Sequence, residues 1–180
     1  MSTDKALVLD VGAGERSVAR SMWPDATVRT LDADASLNPD VLGTLLSIPE
    51  PDNTYDAVVA SHVLEHVEYR DATTALKELR RVVKPGGEVH ILVPSLEWAA
   101  RQILGESMSP VTIPHIYGLQ TTPWQYHKAG FRLADLRDLM TSVGLRVVVA
   151  RRAVYHVSGI ERDGKTVGYP AEQHYVVGRK

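Results

Sequence analysis

Two carboxylates stand where this chain could do chemistry. Asp10 lies just before Gly12 and Gly14 in the stretch Ala6-Leu-Val-Leu-Asp10-Val-Gly12-Ala-Gly14-Glu-Arg-Ser17, and Asp32 follows Gly12 by 20 positions. Glycines let main-chain N–H groups approach a ligand where a Cβ would clash. A carboxylate beside such a turn repels a pyrophosphate and attracts an ammonium or sulfonium group. An acid 20 positions on matches the usual placement on a ribose diol, whose two hydroxyls can each donate to one carboxylate. Asp34 takes that role if the second strand ends later. The charge sign points to S-adenosylmethionine and away from NAD or FAD.

A second set of reactive side chains falls later. In Val63-Leu-Glu65-His66-Val67, His66 has two readings: a base or substrate contact, or a ring that packs and fixes the loop. Glu65 reads as a cap or ion-pair partner. The segment Ser95–His127 carries Trp98, His115, Tyr117, Trp124, Tyr126 and His127. Aromatic faces favour a sulfonium, and a histidine or tyrosine can take a proton from an oxygen or nitrogen nucleophile. The competing reading is a satellite core over a sheet edge. No helix-spaced pair of histidines with a supporting carboxylate stands out, so no metal is expected.

The elements that must position these groups alternate. Ala6–Val11 is a continuous β-prone run, as expected for a strand covered on both faces. Arg16–Trp23 is a short helix stopped by Pro24. Strands are predicted at Thr27–Asp32, Val41–Leu46 and Asp56–Ser61. Asp71–Val83 is an amphipathic helix with apolar Ala72, Ala75, Leu76, Leu79, Val82 and Val83. Lys84-Pro-Gly-Gly87 turns it, in a type II arrangement, into a strand at Glu88–Val93. From Pro94 to Gly130 the pattern loosens. A helix marked by Leu133, Leu136, Leu139, Met140 and Val143 ends at Gly144. Strands at Leu145–Val154 and Gln173–Gly178 follow, on either side of a turn-rich stretch.

Strand–helix alternation implies a doubly wound, mostly parallel α/β sheet with helices on both faces. The last two strands lack a helix between them, so they pair antiparallel. Ligands in such sheets bind at the carboxyl ends of the strands, where strand order reverses. The chain is read as one domain over residues 1–180, with 95–130 as an irregular cover for the substrate.

Composition narrows the function. Of 180 residues, 44% are hydrophobic and 23% charged, and the formal net charge is −2, so no basic field would draw a nucleic acid. With no cysteine, disulfides, zinc–thiolate sites and a cysteine nucleophile are excluded. There is no signal-peptide pattern and no apolar run long enough to span a bilayer. A cytoplasmic protein with no membrane partner is expected; monomer or homodimer stays open.

Together the motifs resemble the class I S-adenosylmethionine-dependent methyltransferases of the small bacterial type. The resemblance rests on VLDVGAGERS at the first strand, TLDAD at the second, LLSIPEPDNTYDAVVASHVLEHV through the fourth, LRRVVKPGGEVHILVPS into the fifth, and HKAGFRLADLRDLMTSVGLRVV before the sixth. It implies a seven-stranded Rossmann-like sheet whose last strand inserts antiparallel. It further implies that Asp10 reaches the ligand's amino group, directly or through water, and that Gly12 and Gly14 underlie its methionine portion. Asp32 and its neighbour Ala33 would meet the ribose, Ser61 and His62 would wall the amino group, and Thr44 and Leu45 would bracket adenine. Thr44 replaces an acid common in the family, which shifts adenine recognition onto the Leu45 N–H and apolar stacking. Arg16 and Ser17 stand where the family pattern has its third glycine.

The leading expectation is an enzyme that moves a methyl group from S-adenosylmethionine to a small-molecule acceptor by in-line displacement, with His66, His115, Tyr117 and His127 as candidate catalytic residues. The alternative is an S-adenosylmethionine-binding module without transferase activity. The latter is motivated by Thr44 and by a first strand that begins too early for an N-terminal helical cap. A nicotinamide oxidoreductase is disfavoured by Asp10 and the missing third glycine. A nucleic-acid methyltransferase is disfavoured by charge and by Ser61-His-Val-Leu, where amino-methylating members carry Asn/Asp-Pro-Pro-aromatic.

Overall fold

The apolar run after Lys5 becomes β1 (Leu7–Val11), whose last four residues are buried. A computed structural model describes residues 5–105, 108–162 and 165–180. β1 pairs in parallel with β2 (Thr27–Asp32) on one side and β4 (Tyr55–Ser61) on the other. The short β3 (Val41–Leu42) extends β2, and β5 (Val83–Pro94) extends β4, both in parallel. β7 (Lys165–Arg179) lies antiparallel between β5 and β6 (Arg146–Arg162). The order is β3-β2-β1-β4-β5-β7-β6, so the expected doubly wound sheet with an antiparallel last strand is present. The order reverses at β1 and β4, which puts the predicted crevice at their carboxyl ends.

Alternation along the central strands divides the core. Leu9, Val11, Val58 and Ala60 face one layer, while Val8, Ala57 and Val59 face the other. The first layer is covered by α2 (Ala72–Val82), which buries Ala72, Ala75, Leu76, Leu79 and Val82. It is also covered by α5 (Leu133–Ser142), which buries Leu136 and Met140. Each fully buried leucine there contributes about 1.5–3 kcal/mol. The second layer is thinner, with Ala19 of α1 (Val18–Met22) as its helical contribution.

Three regions differ from expectation. β3 stops at Leu42, because Thr44 and Ser47 close a turn with the Ser47 N–H on the Thr44 carbonyl at 3.1 Å. The stretch that reads as irregular contains α3 (Leu96–Leu104) and α4 (Thr112–Tyr117). Ser95 starts α3, its Oγ accepting from the Trp98 N–H at 3.1 Å. β6 and β7 run further than their apolar cores suggested, and their paired outer part carries Tyr155.

Glu97 ties this covering segment down. One of its oxygens accepts from the Leu133 N–H at the start of α5 at 3.0 Å, and the other meets His174 Nε2 on β7 at 2.7 Å. The Leu96 N–H donates to the Phe131 carbonyl at 3.2 Å. The segment from Ser95 to Phe131 is thereby fastened at both ends over the carboxyl edge of β4 and β5.

Candidate active site

The glycine turn is built by backbone geometry. Gly12 has φ +66°, and a Cβ there would stand 2.4 Å from Val63 Cγ2. Both the left-handed backbone and the close approach demand glycine. Gly14 has φ +55° with open space where its Cβ would point, which leaves room for a ligand against the turn. The Gly12 N–H donates to the Leu31 carbonyl at 2.8 Å. Asp32 accepts from the Gly14 N–H at 3.1 Å through one oxygen and from the Asp34 N–H at 3.0 Å through the other. The ends of β1 and β2 are thus locked together, with the Asp32 carboxylate half-exposed at their junction.

Asp10 faces inward. Its Oδ2 accepts from Ser17 Oγ at 2.6 Å and from the Ala19 N–H at 3.0 Å, so it holds the first turn of α1. Burial pushes its carboxyl above the usual range, and the bonds to Ser17 and Ala19 pull the other way. Its negative charge therefore lies beneath the glycine turn.

Beyond β3, the Thr44 Oγ1 accepts from the Leu46 N–H at 3.3 Å, while the Leu45 side chain is buried in the core. Asp10, Gly12, Gly14, Asp32, Ala33, Thr44, Leu45, Ser61 and His62 all fall at the carboxyl edge of four neighbouring strands.

After β4 the chain turns sharply. His62 has φ +54°, a backbone that non-glycine residues adopt uncommonly and that recurs at functional sites. Its N–H donates to the Leu92 carbonyl at 2.8 Å. Its ring leaves the glycine turn and reaches Gln173 Oε1 through Nε2 at 2.7 Å. Nδ1 lies 3.4 Å from Glu65 Oε1, at ion-pair distance but off the line of a hydrogen bond.

Glu65 is the unexpected centre of this half. It is 1% exposed, and neither carboxylate oxygen has a hydrogen bond to the chain. Burial works to raise its carboxyl, but the neighbouring His62, His66 and His127 outweigh this and hold it below the usual range. Glu65 raises His62 in turn, against the effect of burial. The Glu65 carbonyl accepts from the N–H groups of Lys128 and Ala129, which fixes the 127–129 strand of chain beside it.

The candidate catalytic residues separate into different environments. His66 Nδ1 meets the Tyr126 carbonyl at 3.0 Å and His127 Nδ1 the His115 carbonyl at 3.1 Å. Their rings contact edge to face at 5.0 Å. His115 has both nitrogens engaged, donating from Nε2 to the Ser95 carbonyl at 3.0 Å and accepting the Tyr155 hydroxyl at Nδ1 at 3.2 Å. Burial pushes it down to about 4, so it is neutral at pH 7. Burial also lowers His127 and raises the Tyr155 phenol.

Tyr117 is half exposed and borders a cavity of about 250 Å³. Glu65, His115, His127, Leu96 and Phe131 also line that cavity. Of the other aromatic residues in the segment, Trp98 is buried and packs on the His115 ring at 4.7 Å. Trp124 and Tyr126 are exposed away from it.

Sequence reasoning missed Tyr155 and Gln173, which arrive from β6 and β7, and gave Glu65 only a supporting part. The signal for Glu65 was an acid three residues after one histidine and one before another, at the end of a buried strand.

Comparison with known proteins agrees with this geometry. Residues 9–91 match a family model described as a methyltransferase domain. The ubiquinone/menaquinone biosynthesis C-methyltransferase UbiE of Cupriavidus pinatubonensis is 29% identical over 154 residues, covering 76% of this chain and 59% of that protein. Its counterpart in Burkholderia cenocepacia is 34% identical over 155 residues with the same coverage. The chain thus spans less than two thirds of the length of these relatives.

Among solved structures, a SAM-dependent methyltransferase of Methanosarcina mazei superposes with a TM-score of 0.66 at 16% identity, covering 99% of this chain and 93% of the other. The 1,6-didemethyltoxoflavin-N1-methyltransferase of Burkholderia thailandensis, with bound 1,6-didemethyltoxoflavin and S-adenosylhomocysteine, gives a TM-score of 0.63 at 18% identity, covering 98% and 71%. These two likenesses concern the fold.

Proposed function

We propose that this chain, which resembles the class I S-adenosylmethionine-dependent methyltransferases in sequence and fold, transfers a methyl group from S-adenosylmethionine to a small acceptor held in the cavity beside Glu65 and His127. The observation that carries this reading is the adjacency of two preorganised halves. A glycine turn locked to Asp32 ends β1 and β2, and a walled cavity sits past β4 and β5. The UbiE relatives are named as C-methyltransferases of quinone biosynthesis, and the Burkholderia thailandensis protein holds a small heterocycle. Both favour a small acceptor.

In this reading the ribose hydroxyls meet Asp32, with Ala33 beside it, and the methionine portion lies over Gly12 and Gly14. Ser61 and the His62 main chain border its amino group. Asp10 acts through its charge below the turn, since its oxygen Oδ2 is held by Ser17 and Ala19. The adenine lies against the 44–46 turn, where the Thr44 hydroxyl is already engaged with Leu46. Leu45 offers its main chain there, because its side chain belongs to the core.

The transfer itself needs little acid–base help, because the leaving group is a neutral thioether. The protein supplies alignment of nucleophile, methyl carbon and sulfur, which is worth roughly 7–11 kcal/mol when reacting groups are held in line. Exclusion of water falls to α3, α4 and the 123–131 stretch. Where the acceptor atom carries a proton, His127 is the group suited to take it, since its Nδ1 is held on a carbonyl and its other nitrogen lies toward Glu65. His66 stands beside it, Tyr117 lines the opening, and neutral His115 serves as wall.

Calorimetric titration with S-adenosylhomocysteine tests the reading. Saturable binding that Asp32→Ala weakens and His66→Ala leaves intact is expected. No heat of binding at millimolar ligand removes it.

A further inference from the structure

We propose that Glu65, His66 and His127 form a binding site for one divalent first-row transition-metal ion, at the wall of the acceptor cavity. One ligand-capable atom from each of the three lies within 4.8 Å of the others. Each residue shows a feature of a ligand in waiting.

Glu65 offers a carboxylate that is almost wholly buried and takes no hydrogen bond from the chain through either oxygen. A charge removed from water without hydrogen bonds is expensive, and such groups pair with a cation or coordinate a metal. His66 and His127 each send Nδ1 to a main-chain carbonyl, of Tyr126 and of His115. A carbonyl only accepts, so each ring donates from Nδ1, and the neutral ring then presents a lone pair at Nε2. That outer hydrogen bond from the far nitrogen to a carbonyl is the arrangement that orients metal-bound histidines. His127 Nε2 lies 4.0 Å from Glu65 Oε1. The carboxylate and the two imidazoles thus offer donor atoms close enough together for one cation to bridge.

The donor set defines the ion. Two imidazoles and a carboxylate, without thiolate, suit zinc, iron(II), cobalt(II) or nickel(II) better than magnesium or calcium. Such ions hold nitrogen and oxygen at about 2.0–2.2 Å, so the three side chains close slightly around the ion. Three protein donors leave positions open, as in catalytic rather than structural metal sites. Glu65 and His127 both line the 250 Å³ cavity, so the open positions face the acceptor.

His62 is the nearest rival for the positive charge, because its Nδ1 stands 3.4 Å from the same carboxylate. With Nε2 donating to Gln173, a neutral His62 would add a fourth donor; a protonated one would make the ion unnecessary. Resting on the methyl-transfer reading, the ion's part is to hold an oxygen of the acceptor and favour its deprotonated form, the proton leaving to solvent; with the ion in place His127 Nε2 is a ligand and no longer the base, and the acceptors favoured are those with a hydroxyl or enolic oxygen beside the methylated atom.

The test uses untagged full-length protein freed of metal by a chelator, then titrated with zinc and, separately, with cobalt chloride. One equivalent of zinc should bind with a rise in melting temperature, and cobalt should give the visible absorption of a low-coordinate nitrogen/oxygen site. His66→Gln and Glu65→Gln should each weaken zinc at least about tenfold, the lower end of what even outer-shell changes cost a metal site. His66 is partly exposed, so that variant tests the site without emptying the core. No zinc binding to the wild-type protein, or zinc affinity unchanged in His66→Gln, overturns the proposal and leaves the proton on His62 as the countercharge. S-adenosylhomocysteine affinity, measured in the same preparations, reports separately on the methyl-transfer reading and should not depend on zinc.

Discussion

The two halves of the crevice achieve preorganisation by opposite means. At the β1–β2 end main-chain N–H groups are held in place, that of Gly12 on the Leu31 carbonyl, that of Gly14 on the Asp32 carboxylate and that of Ala19, in the first turn of α1, on Asp10. Every polar group named there has its partner before a ligand arrives. Past β4 the side chains dominate, and the buried carboxylate of Glu65 takes no hydrogen bond among the described residues, with only His62 and His127 at ion-pair distance. The difference teaches which half discriminates. In the proposed reading, the satisfied backbone cradle fits the shape of one invariant ligand, whereas the under-satisfied cluster is completed by what binds and so reports on its chemistry.

The sharpest way to break this contrast is to disturb the cradle at Gly12. Gly12→Ala meets two penalties, a backbone at φ +66° and a Cβ 2.4 Å from Val63. The strained conformation alone costs about 1–3 kcal/mol. We expect a lower melting temperature and loss of S-adenosylhomocysteine binding. Adding Val63→Ala should recover part of the stability, because it removes the colliding methyl groups but not the backbone strain. Full recovery would show that the left-handed turn is not required.

Asp32→Ala comes next. Charge-assisted hydrogen bonds contribute about 1.5–3 kcal/mol, so cofactor affinity should fall by roughly 10- to 150-fold in calorimetry. A smaller loss of stability should follow from freeing the Gly14 and Asp34 N–H groups. His66→Ala is the partner experiment across the crevice. It should leave cofactor affinity within a factor of about two, well under the tenfold that 1.4 kcal/mol represents, while changing transfer to the acceptor. Equal effects of the two substitutions on cofactor binding would erase the division between the halves.

Legibility followed the same divide. The cradle was readable because its parts are local: a β-prone run, two glycines and an acid 20 positions on. The sheet was readable because apolar runs alternate with a helical period, and the absence of a helix between the last strands implied their antiparallel pairing. Ser95 to Gly130 was not readable as helical. Leu96, Trp98, Ala99, Ile103 and Leu104 form no sustained stripe, and only Trp98 and Ala99 of α3 are buried. The Glu65 cluster was hidden for a different reason. His127 belongs to another segment, and only the main-chain bonds from Lys128 and Ala129 to the Glu65 carbonyl bring it back. Residues paired at helical spacing do not include a cluster closed by that long return. Tyr155 lay in a strand whose exposed outer part carries polar residues, so its reach was underestimated.

A third measurement concerns the sheet itself, away from both halves. His90 on β5 is buried against Trp23 and Tyr175, and burial lowers its pKa despite Glu88 nearby. The unfolded chain protonates this ring near its ordinary value of about 6.5 while the folded one resists. The unfolded state therefore binds more protons below that pH, and stability falls as pH drops through it. One such group contributes at most about 1.4 kcal/mol per pH unit. Denaturant midpoints from pH 8 to pH 5 should decline less steeply for His90→Gln than for the wild type. An unchanged slope would mean that His90 is protonated in the fold.

The smallest expected effect addresses Asp10, where structure and charge pull apart. Asparagine keeps an oxygen that can accept from Ser17 and Ala19 but removes the negative charge. Because burial raises the Asp10 carboxyl, the charged form is a burden on the fold at neutral pH, and the neutral amide relieves it. Asp10→Asn should therefore leave stability within about 0.5 kcal/mol of wild type, while Asp10→Ala, which abandons the first turn of α1, should cost about 1 kcal/mol. If the charge under the turn acts on the cationic ligand, Asp10→Asn should still weaken S-adenosylmethionine binding, and more so at low salt, where screening is least. Undiminished affinity at low salt would reduce Asp10 to a helix-capping residue, and the cradle would then hold its ligand by backbone shape and Asp32 alone.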